Sequence, residues 1–150
     1  VLTGYIRRDG ANAAKNIAKR VAESKFANHA QLIMLQGIAL GGFNVVDVAY
    51  LSRSLQLPVL VVARRRPDMS AIKKALLTKV PGGVRKWKLI EKLGPMEPAG
   101  NVFVQRAGLS LDEAIQAVEK FAVHSHIPEP LRAAHLIAGA ISLGQSRGRP

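Results

Sequence analysis

Residues 32–47 read Leu-Ile-Met-Leu-Gln-Gly-Ile-Ala-Leu-Gly-Gly-Phe-Asn-Val-Val-Asp, and this stretch decides the fold class. Its first four residues are all apolar, which is typical of a strand covered on both faces of a sheet. The glycines predict a turn, and the apolar pattern that follows predicts a helix with Asn44 as its amino-terminal cap. A strand, a loop and a helix in this order indicate an α/β protein.

Gln36 is the first polar residue after this strand. In open α/β sheets, ligands bind in the crevice beyond the carboxyl ends of the strands, so Gln36 is predicted to face a binding site. Its side chain is a neutral amide, which is a poor ligand for a hard cation such as Mg²⁺ and cannot act as a general base. The sequence therefore predicts a loop with the position of an active site but without catalytic charge.

Alternating strands and helices extend outward from this stretch. The apolar patterns predict strands at residues 5–6, 31–35, 59–63 and 101–105. They predict helices at 11–25, 45–55, 84–93 and 110–123. They also predict a helix that ends at residue 79 with Asp68 or Ser70 as its cap, and a last helix from Pro128 or Pro130 to residue 143. Ser110 and Glu113 form a capping-box pattern at the start of one of them. We expect one α/β domain over residues 1–145, followed by a basic tail at 146–150.

The charge of the chain is strongly asymmetric. The 22 Lys and Arg residues exceed the 10 Asp and Glu residues by 12, and residues 64–92 contain ten of the cations but only two acids. A window with a net charge of +8 is either a solvated face or a surface that binds a polyanion. The second interpretation predicts phosphate contacts from the following residues: Arg64, Arg65, Arg66, Lys73, Lys74, Lys79, Arg85, Lys86, Lys88, Arg147 and Arg149.

Trp87 lies between Lys86 and Lys88 and is the only tryptophan of the chain. An aromatic ring among cations suits stacking on an unpaired base, and packing between helices is the equally weighted alternative. The window lacks the continuous apolar face of an interfacial helix, so a membrane partner is not expected. Cysteine and a cationic leader are absent from the sequence, which favours a cytoplasmic location.

Several separated motifs resemble the endonuclease dU family, which is related to endonuclease V. They are Leu35-Gln36-Gly37-Ile38, Gly42-Phe43-Asn44-Val45-Val46-Asp47, Leu57-Pro58-Val59, Arg66-Pro67-Asp68, Pro128-Glu129-Pro130-Leu131-Arg132 with His135, and Ser146-Arg147-Gly148-Arg149. The resemblance extends from about Tyr5 to Arg149. It implies a ribonuclease H-like fold, with a mixed sheet flanked by helices.

The resemblance also implies a metal-dependent nuclease, but this sequence departs from the family pattern at the acidic positions. Gln36 and Asn12 replace acids, and the acidic Ile-Asp-Asp-Gly strand that begins the family pattern has no match here. The remaining polar residues predict a degenerate pocket formed by Asp9, Asn12, Gln36, Asn44 and Asp47. Asp9 is otherwise a turn former, and Asp47 otherwise complements a helix dipole. No cofactor is expected, whereas an active nuclease would require Mg²⁺.

These observations favour a catalytically degenerate nucleic-acid-binding protein. RNA is favoured over DNA, because a small, very basic domain suits a ribonucleoprotein, with ribosomal RNA and ribosomal proteins as candidate partners. One alternative is an active endonuclease on deaminated DNA or RNA. The other is a protein-interaction module that binds an acidic partner.

Overall fold

The structure of the protein is a computed structural model that describes residues 1–143. Its strands are β1 (Ile33–Gln36), β2 (Ala39–Leu40), β3 (Asn44–Val45), β4 (Val59–Ala63), β5 (Glu97–Ala99) and β6 (Val102–Ala107). Its helices are α1 (Ala13–Ala22), α2 (Val48–Leu55), α3 (Met69–Lys79), α4 (Gly83–Leu93), α5 (Leu111–Phe121) and α6 (Glu129–Leu143). The predicted basic tail, with Arg147 and Arg149, lies outside the described residues.

Four strands form a mixed sheet in the order β1-β4-β6-β5. β1 and β4 are parallel, whereas β6 runs antiparallel to both β4 and β5. Side chains alternate between the two faces of a strand. Val59 and Val61 accordingly pack with α1 and α2, while Leu60 and Val62 pack with α5 and α6. The predicted mixed sheet flanked by helices is confirmed.

A hairpin projects from the carboxyl end of β1 and forms a second, two-stranded sheet from β2 and β3. Val45 on this hairpin packs with Leu76 of α3 and Ile90 of α4. α3 and α4 approach closely at Gly83, which lies against the Leu76 carbonyl. A side chain at this position would not fit, because its Cβ would overlap the carbonyl oxygen. The hairpin and the α3–α4 pair therefore share a core of their own.

One predicted strand and one predicted helix cap are wrong. Residues 5–6 form no strand in the described chain, and Tyr5 is 90% exposed. Asn44 does not cap the following helix, since it belongs to β3 and the helix begins at Val48 with Asp47 as its cap. The apolar run Val45-Val46 fits a strand or a helix equally well by pattern, and pairing with β2 decides for the strand.

The segments with local signals agree with the sequence. β4 occupies the predicted residues 59–63, and Asp68 caps α3 by accepting a hydrogen bond from Ala71 N at 3.0 Å. The capping box of Ser110 and Glu113 is formed at the start of α5. Three short features were not predicted: a 3₁₀ helix at Ala27–His29, the β2–β3 hairpin and β5. Within residues 1–143, no helix is both long and apolar enough to cross a bilayer.

Candidate nucleic-acid interface

The carboxyl ends of β1 and β4 meet at one edge of the sheet. Their parallel register places Gln36 beside Val62, and Gly37 N donates to Val62 O at 3.0 Å just beyond β1. The chain leaves β4 directly into Arg64, Arg65 and Arg66, all of which are exposed. Three guanidinium groups therefore follow the strand that neighbours Gln36, at the edge where an α/β sheet binds its ligands.

Asp9 fastens residues 7–10 to the tip of the hairpin. Its Oδ1 accepts a hydrogen bond from Phe43 N at 2.7 Å, and its main-chain N donates to Gly41 O at 2.9 Å. Asp9 has a left-handed backbone with φ of 52°, which an aspartate tolerates better than most residues. A Cβ at Gly42 would overlap the Asp9 carboxylate. The side chain is thus engaged with the hairpin.

Asn44 joins three segments from inside the protein, where it is fully buried. Its Oδ1 accepts from Ala13 N at 3.1 Å, so it caps α1 rather than the helix that follows it. Its Nδ2 donates to Arg7 O at 2.9 Å and to Asn12 Oδ1 at 2.7 Å. Asn12 is the N-cap residue of α1 but makes no side-chain capping bond itself. The buried amide of Asn44 is thus satisfied by contacts within the protein, and it holds α1 and residue 7 to the hairpin.

Lys86 also belongs to this buried network, although the sequence placed it on the surface. Only 4% of it is exposed, and its Nζ donates to Asp9 O at 2.6 Å. An ammonium buried beneath neighbouring segments cannot reach the phosphates of a ligand on the surface. Lys86 is therefore removed from the predicted nucleic-acid-binding set, and it connects α4 to the hairpin tip through Asp9.

Asp47 lies apart from Asp9. Its Oδ1 accepts from Tyr50 N at 2.9 Å at the start of α2, which is the helix-capping role. It also lines a cavity of about 210 Å³ that includes Lys92 and Arg106. Of the predicted pocket residues, hydrogen bonds bring Asn12 and Asn44 together, with Asp9 fastened to the neighbouring Phe43. They do not draw Gln36 or Asp47 into that network.

The candidate ligands for a divalent metal ion among the described residues are few, and their carboxylates take part in hydrogen bonds. Residues 1–143 contain no cluster of three His, Cys, Asp or Glu side chains in an arrangement that holds a metal. One carboxylate oxygen of Asp9 and one of Asp47 already accept main-chain hydrogen bonds. Mg²⁺ requires near-octahedral oxygen ligands, commonly with one or two carboxylates, and Gln36 supplies a neutral amide at the strand end.

The nine other cations of residues 64–92 are exposed, and no ion pair of residues 1–143 involves them. We call this group the basic surface; it consists of Arg64, Arg65, Arg66, Lys73, Lys74, Lys79, Arg85, Lys88 and Lys92. Trp87 is partly buried and packs with the hydrophobic core shared by the hairpin, α3 and α4. Lys73 Nζ lies 5.2 Å from the centre of its ring. This geometry gives Trp87 a packing contact and a cation–π contact.

Arg7 and Arg8 are functional candidates that the sequence analysis missed. Both are exposed, and the backbone of Arg8 lies next to Gly41 at the hairpin tip. Their signal was the pair of cations directly before the Asp9-Gly10 turn. This pair is short and lies far in sequence from the cations of residues 64–92. Only the fold places Arg7 and Arg8 beside the hairpin.

Glu129 and Arg132 form a charged pair in α6. Arg132 hydrogen-bonds to Glu129 in the first turn of α6, which lowers the pKa of the Glu129 carboxyl and raises the pKa of the Arg132 guanidinium. α6 covers the face of the sheet that also carries α5. This pair therefore belongs to the start of α6.

Comparisons with known proteins identify relatives along nearly the whole chain. A family model described as endonuclease dU matches residues 1–142. A UPF0215 protein of Deinococcus radiodurans is 54% identical over 149 residues, covering 99% of this chain and 76% of that protein. A UPF0215 protein of Methanothermobacter thermautotrophicus is 43% identical over 151 residues, covering 99% and 74%.

A solved structure has the same fold. It is the crystal structure of a protein of unknown function from Archaeoglobus fulgidus, with a TM-score of 0.86 and 37% sequence identity. The similarity covers 91% of this chain and 78% of that one. The family resemblance read from the motifs is confirmed.

Proposed function

This chain belongs to the endonuclease dU family, and we propose from this premise that its basic surface binds nucleic acid, with RNA favoured over DNA. The observation that carries the proposal is the position of Arg64, Arg65 and Arg66. They are exposed, free of ion pairs within the described residues, and located at the carboxyl edge of two parallel strands. Each guanidinium that neutralises a phosphate releases counterions, which supplies affinity without sequence specificity.

The preference for RNA rests on the charge of the chain. A net charge of +12 is typical of a protein that binds a polyanion, and we take RNA in a ribonucleoprotein as that polyanion. Ribosomal RNA and ribosomal proteins are therefore proposed partners. Arg147 and Arg149 extend the proposed contacts in sequence, although they lie outside the described residues.

We further propose that these residues bind without hydrolysing a phosphodiester. Gln36 stands where the family pattern has an acid, and the Asp9 and Asp47 carboxylates are engaged at different places. A metal-assisted mechanism needs a cation that activates water and stabilises the leaving oxygen. The proposal is supported by the lack, among residues 1–143, of a group of three His, Cys, Asp or Glu side chains that could hold that cation.

Removal of the three arginines tests the binding proposal. We expect Arg64→Ala/Arg65→Ala/Arg66→Ala to weaken binding of uridine and mixed-sequence RNA 12-mers alike. Loss of three phosphate contacts lowers the slope of log affinity against log salt by about 2, at about 0.7 per contact. Fluorescence anisotropy between 50 and 200 mM KCl measures both quantities, and a deoxyuridine 12-mer should bind more weakly than the uridine 12-mer.

The matched control removes three exposed cations elsewhere, as Lys25→Ala/Arg53→Ala/Lys120→Ala. It should retain most of the wild-type slope. Wild-type affinity that is unchanged between 50 and 200 mM KCl would refute phosphate binding. Recovery of an acidic protein partner that survives nuclease treatment, with no nucleic acid, would instead support the protein-interaction alternative.

The second candidate function is a metal-dependent endonuclease on deaminated DNA or RNA. It is favoured by the description of the matching family, which names an endonuclease. The experiment incubates the chain with MgCl2 and uracil- or inosine-containing oligonucleotides. Nicking that is abolished by Asp9→Asn or Asp47→Asn would establish this activity and overturn the proposal of binding without hydrolysis.

A further inference from the structure

We propose that one nucleic-acid strand lies along the hairpin and is bound by two arginine groups, one at the base of the hairpin and one at its tip. We call this arrangement the bridge. The base group is Arg64–Arg66, and the tip group is Arg7 and Arg8. This inference rests on the proposed function and extends the contact surface to two residues outside the basic surface. Its ligand is a single sugar–phosphate strand long enough to contact both groups.

The base of the hairpin is fixed to the arginines of β4. Gly37 N donates to Val62 O at 3.0 Å, which holds the start of the hairpin two residues before Arg64. Val46 N then donates to Ile38 O at 2.8 Å and closes the hairpin at the same end. Arg64, Arg65 and Arg66 therefore lie at the base.

The tip is fixed to Arg7 and Arg8 by an independent set of contacts. Asn44 Nδ2 donates to Arg7 O at 2.9 Å, and Asp9 accepts from Phe43 N at 2.7 Å. Lys86 Nζ donates to Asp9 O from beneath. These bonds hold the main chain of residues 7–9 while their neighbouring guanidinium groups remain exposed, with 90% of the Arg8 side chain accessible.

Charge at the tip favours an anion despite the presence of Asp9. Arg8 Nε lies 3.8 Å from Asp9 Oδ2, but both side chains are exposed and such a pair is weak. Arg7, Arg8 and the buried Lys86 outnumber this one carboxylate. The Asp9 carboxylate occupies the space where a side chain of Gly42 would lie, whereas a Cβ at Gly41 would have no neighbour closer than 3.8 Å. A ligand backbone can therefore approach the turn at the exposed Gly41.

The length of the hairpin sets the length of the ligand. Residues 38–41 lead from the base to the turn at 41–43 in three steps, or about 10 Å at 3.3 Å per residue. At the 3.4 Å rise of a stacked nucleic-acid strand, this distance corresponds to about three nucleotides. A 12-mer therefore contacts both groups with several phosphates to spare.

The test compares Arg7→Ala/Arg8→Ala with the matched pair Lys25→Ala/Arg53→Ala. Lys25 follows the end of α1, and Arg53 lies in the last turn of α2. Both helices begin beside the hairpin and run away from it, so the control removes the same charge at a distance. The probe is a fluorescein-labelled uridine RNA 12-mer, with affinity measured by anisotropy at 50 and 200 mM KCl.

We expect the tip variant to lose affinity at 50 mM KCl and to lower the salt slope by about 1.4, for two contacts at about 0.7 each. The ratio of wild-type to variant affinity then falls about sevenfold between 50 and 200 mM KCl. In the control, the affinity at 50 mM KCl and the salt slope should each change by less than half of the change in the tip variant. Arg7→Lys/Arg8→Lys keeps the charge and should restore most of the slope, which separates phosphate contact from altered folding.

The outcomes distinguish this inference from the function on which it rests. If Arg64→Ala/Arg65→Ala/Arg66→Ala weakens binding while the tip variant matches the control, the bridge is refuted and the proposed function stands. If the wild type shows no salt-dependent binding, the proposed function fails and the bridge fails with it. Loss of binding in the lysine variant despite a native circular dichroism spectrum also counts against the bridge as a phosphate contact.

Discussion

Asp9 illustrates how a single residue can have the chemistry of a catalytic group and the contacts of a structural one. Its side chain binds Phe43 N, its main-chain N binds Gly41 O and its carbonyl accepts from Lys86. Every one of these bonds joins the hairpin or α4 to the start of the chain. Its identity as an acid before glycine was therefore insufficient to assign a function.

Replacement of Asp9 tests this residue-scale assignment. Asp9→Ala should lower the free energy of unfolding by about 1.5–3 kcal/mol, because it removes a charge-assisted hydrogen bond. Asp9→Asn keeps an acceptor oxygen and also tolerates a positive φ, so it should cost under about 1 kcal/mol. Urea denaturation measures both variants, and an equal loss in both would show that the carboxylate charge, rather than the hydrogen bond, stabilises the tip.

At the scale of elements, the close contact between α3 and α4 positions the basic surface. Gly83 begins α4 and is buried against the Leu76 carbonyl of α3. Leu76 is also part of the core beneath the hairpin. The close approach of these two helices therefore determines the position of the hairpin and of the cations on α3 and α4.

Gly83→Ala should destabilise the protein by about 3 kcal/mol, the upper end of the cost of overpacking, because its Cβ meets backbone that cannot rotate away. A loss of stability in this variant is diagnostic of the close contact, since an alanine ordinarily stabilises a helix relative to glycine. Gly4→Ala is the control, because its Cβ meets only the flexible Arg20 side chain. Unfolding of Gly83→Ala at the wild-type urea midpoint would contradict the close contact.

The sequence predicted these elements unevenly. β4 was located because five consecutive apolar residues and Pro58 mark it locally. The cap at Ser110 was located, and Asp68 was one of two candidates for the cap of α3, because each side chain bonds an amide three residues away. The hairpin was missed because two-residue strands carry too little pattern, and Val45-Val46 suits either kind of element.

At the scale of the whole molecule, the net charge of +12 predicts that RNA binds the folded protein and raises its free energy of unfolding. A ligand that binds the folded state stabilises it in proportion to the logarithm of its concentration. At 100 times the dissociation constant, RNA should add about 2.7 kcal/mol. For a protein of this size, that energy raises the Tm by roughly 5–10 °C.

Differential scanning fluorimetry with the uridine 12-mer at 50 mM KCl measures this shift. The shift should largely disappear at 1 M KCl, where the Debye length is about 3 Å. Arg64→Ala/Arg65→Ala/Arg66→Ala should show a smaller shift at the same RNA concentration. An equal shift in the presence of 1 M KCl would mean that the contacts are not electrostatic.

The sequence alone determined the α/β class, the family, the helix cap at Ser110 and the excess of cations at residues 64–92. These features depend on residue identity, motif order and contacts between near neighbours in the chain. Tertiary structure alone decided that Lys86 is buried, that Asn44 caps α1, and that Arg7 and Arg8 join the hairpin tip. Their contacts span 77, 31 and 37 residues, and a pattern of local spacing carries no information on which distant segments pack together.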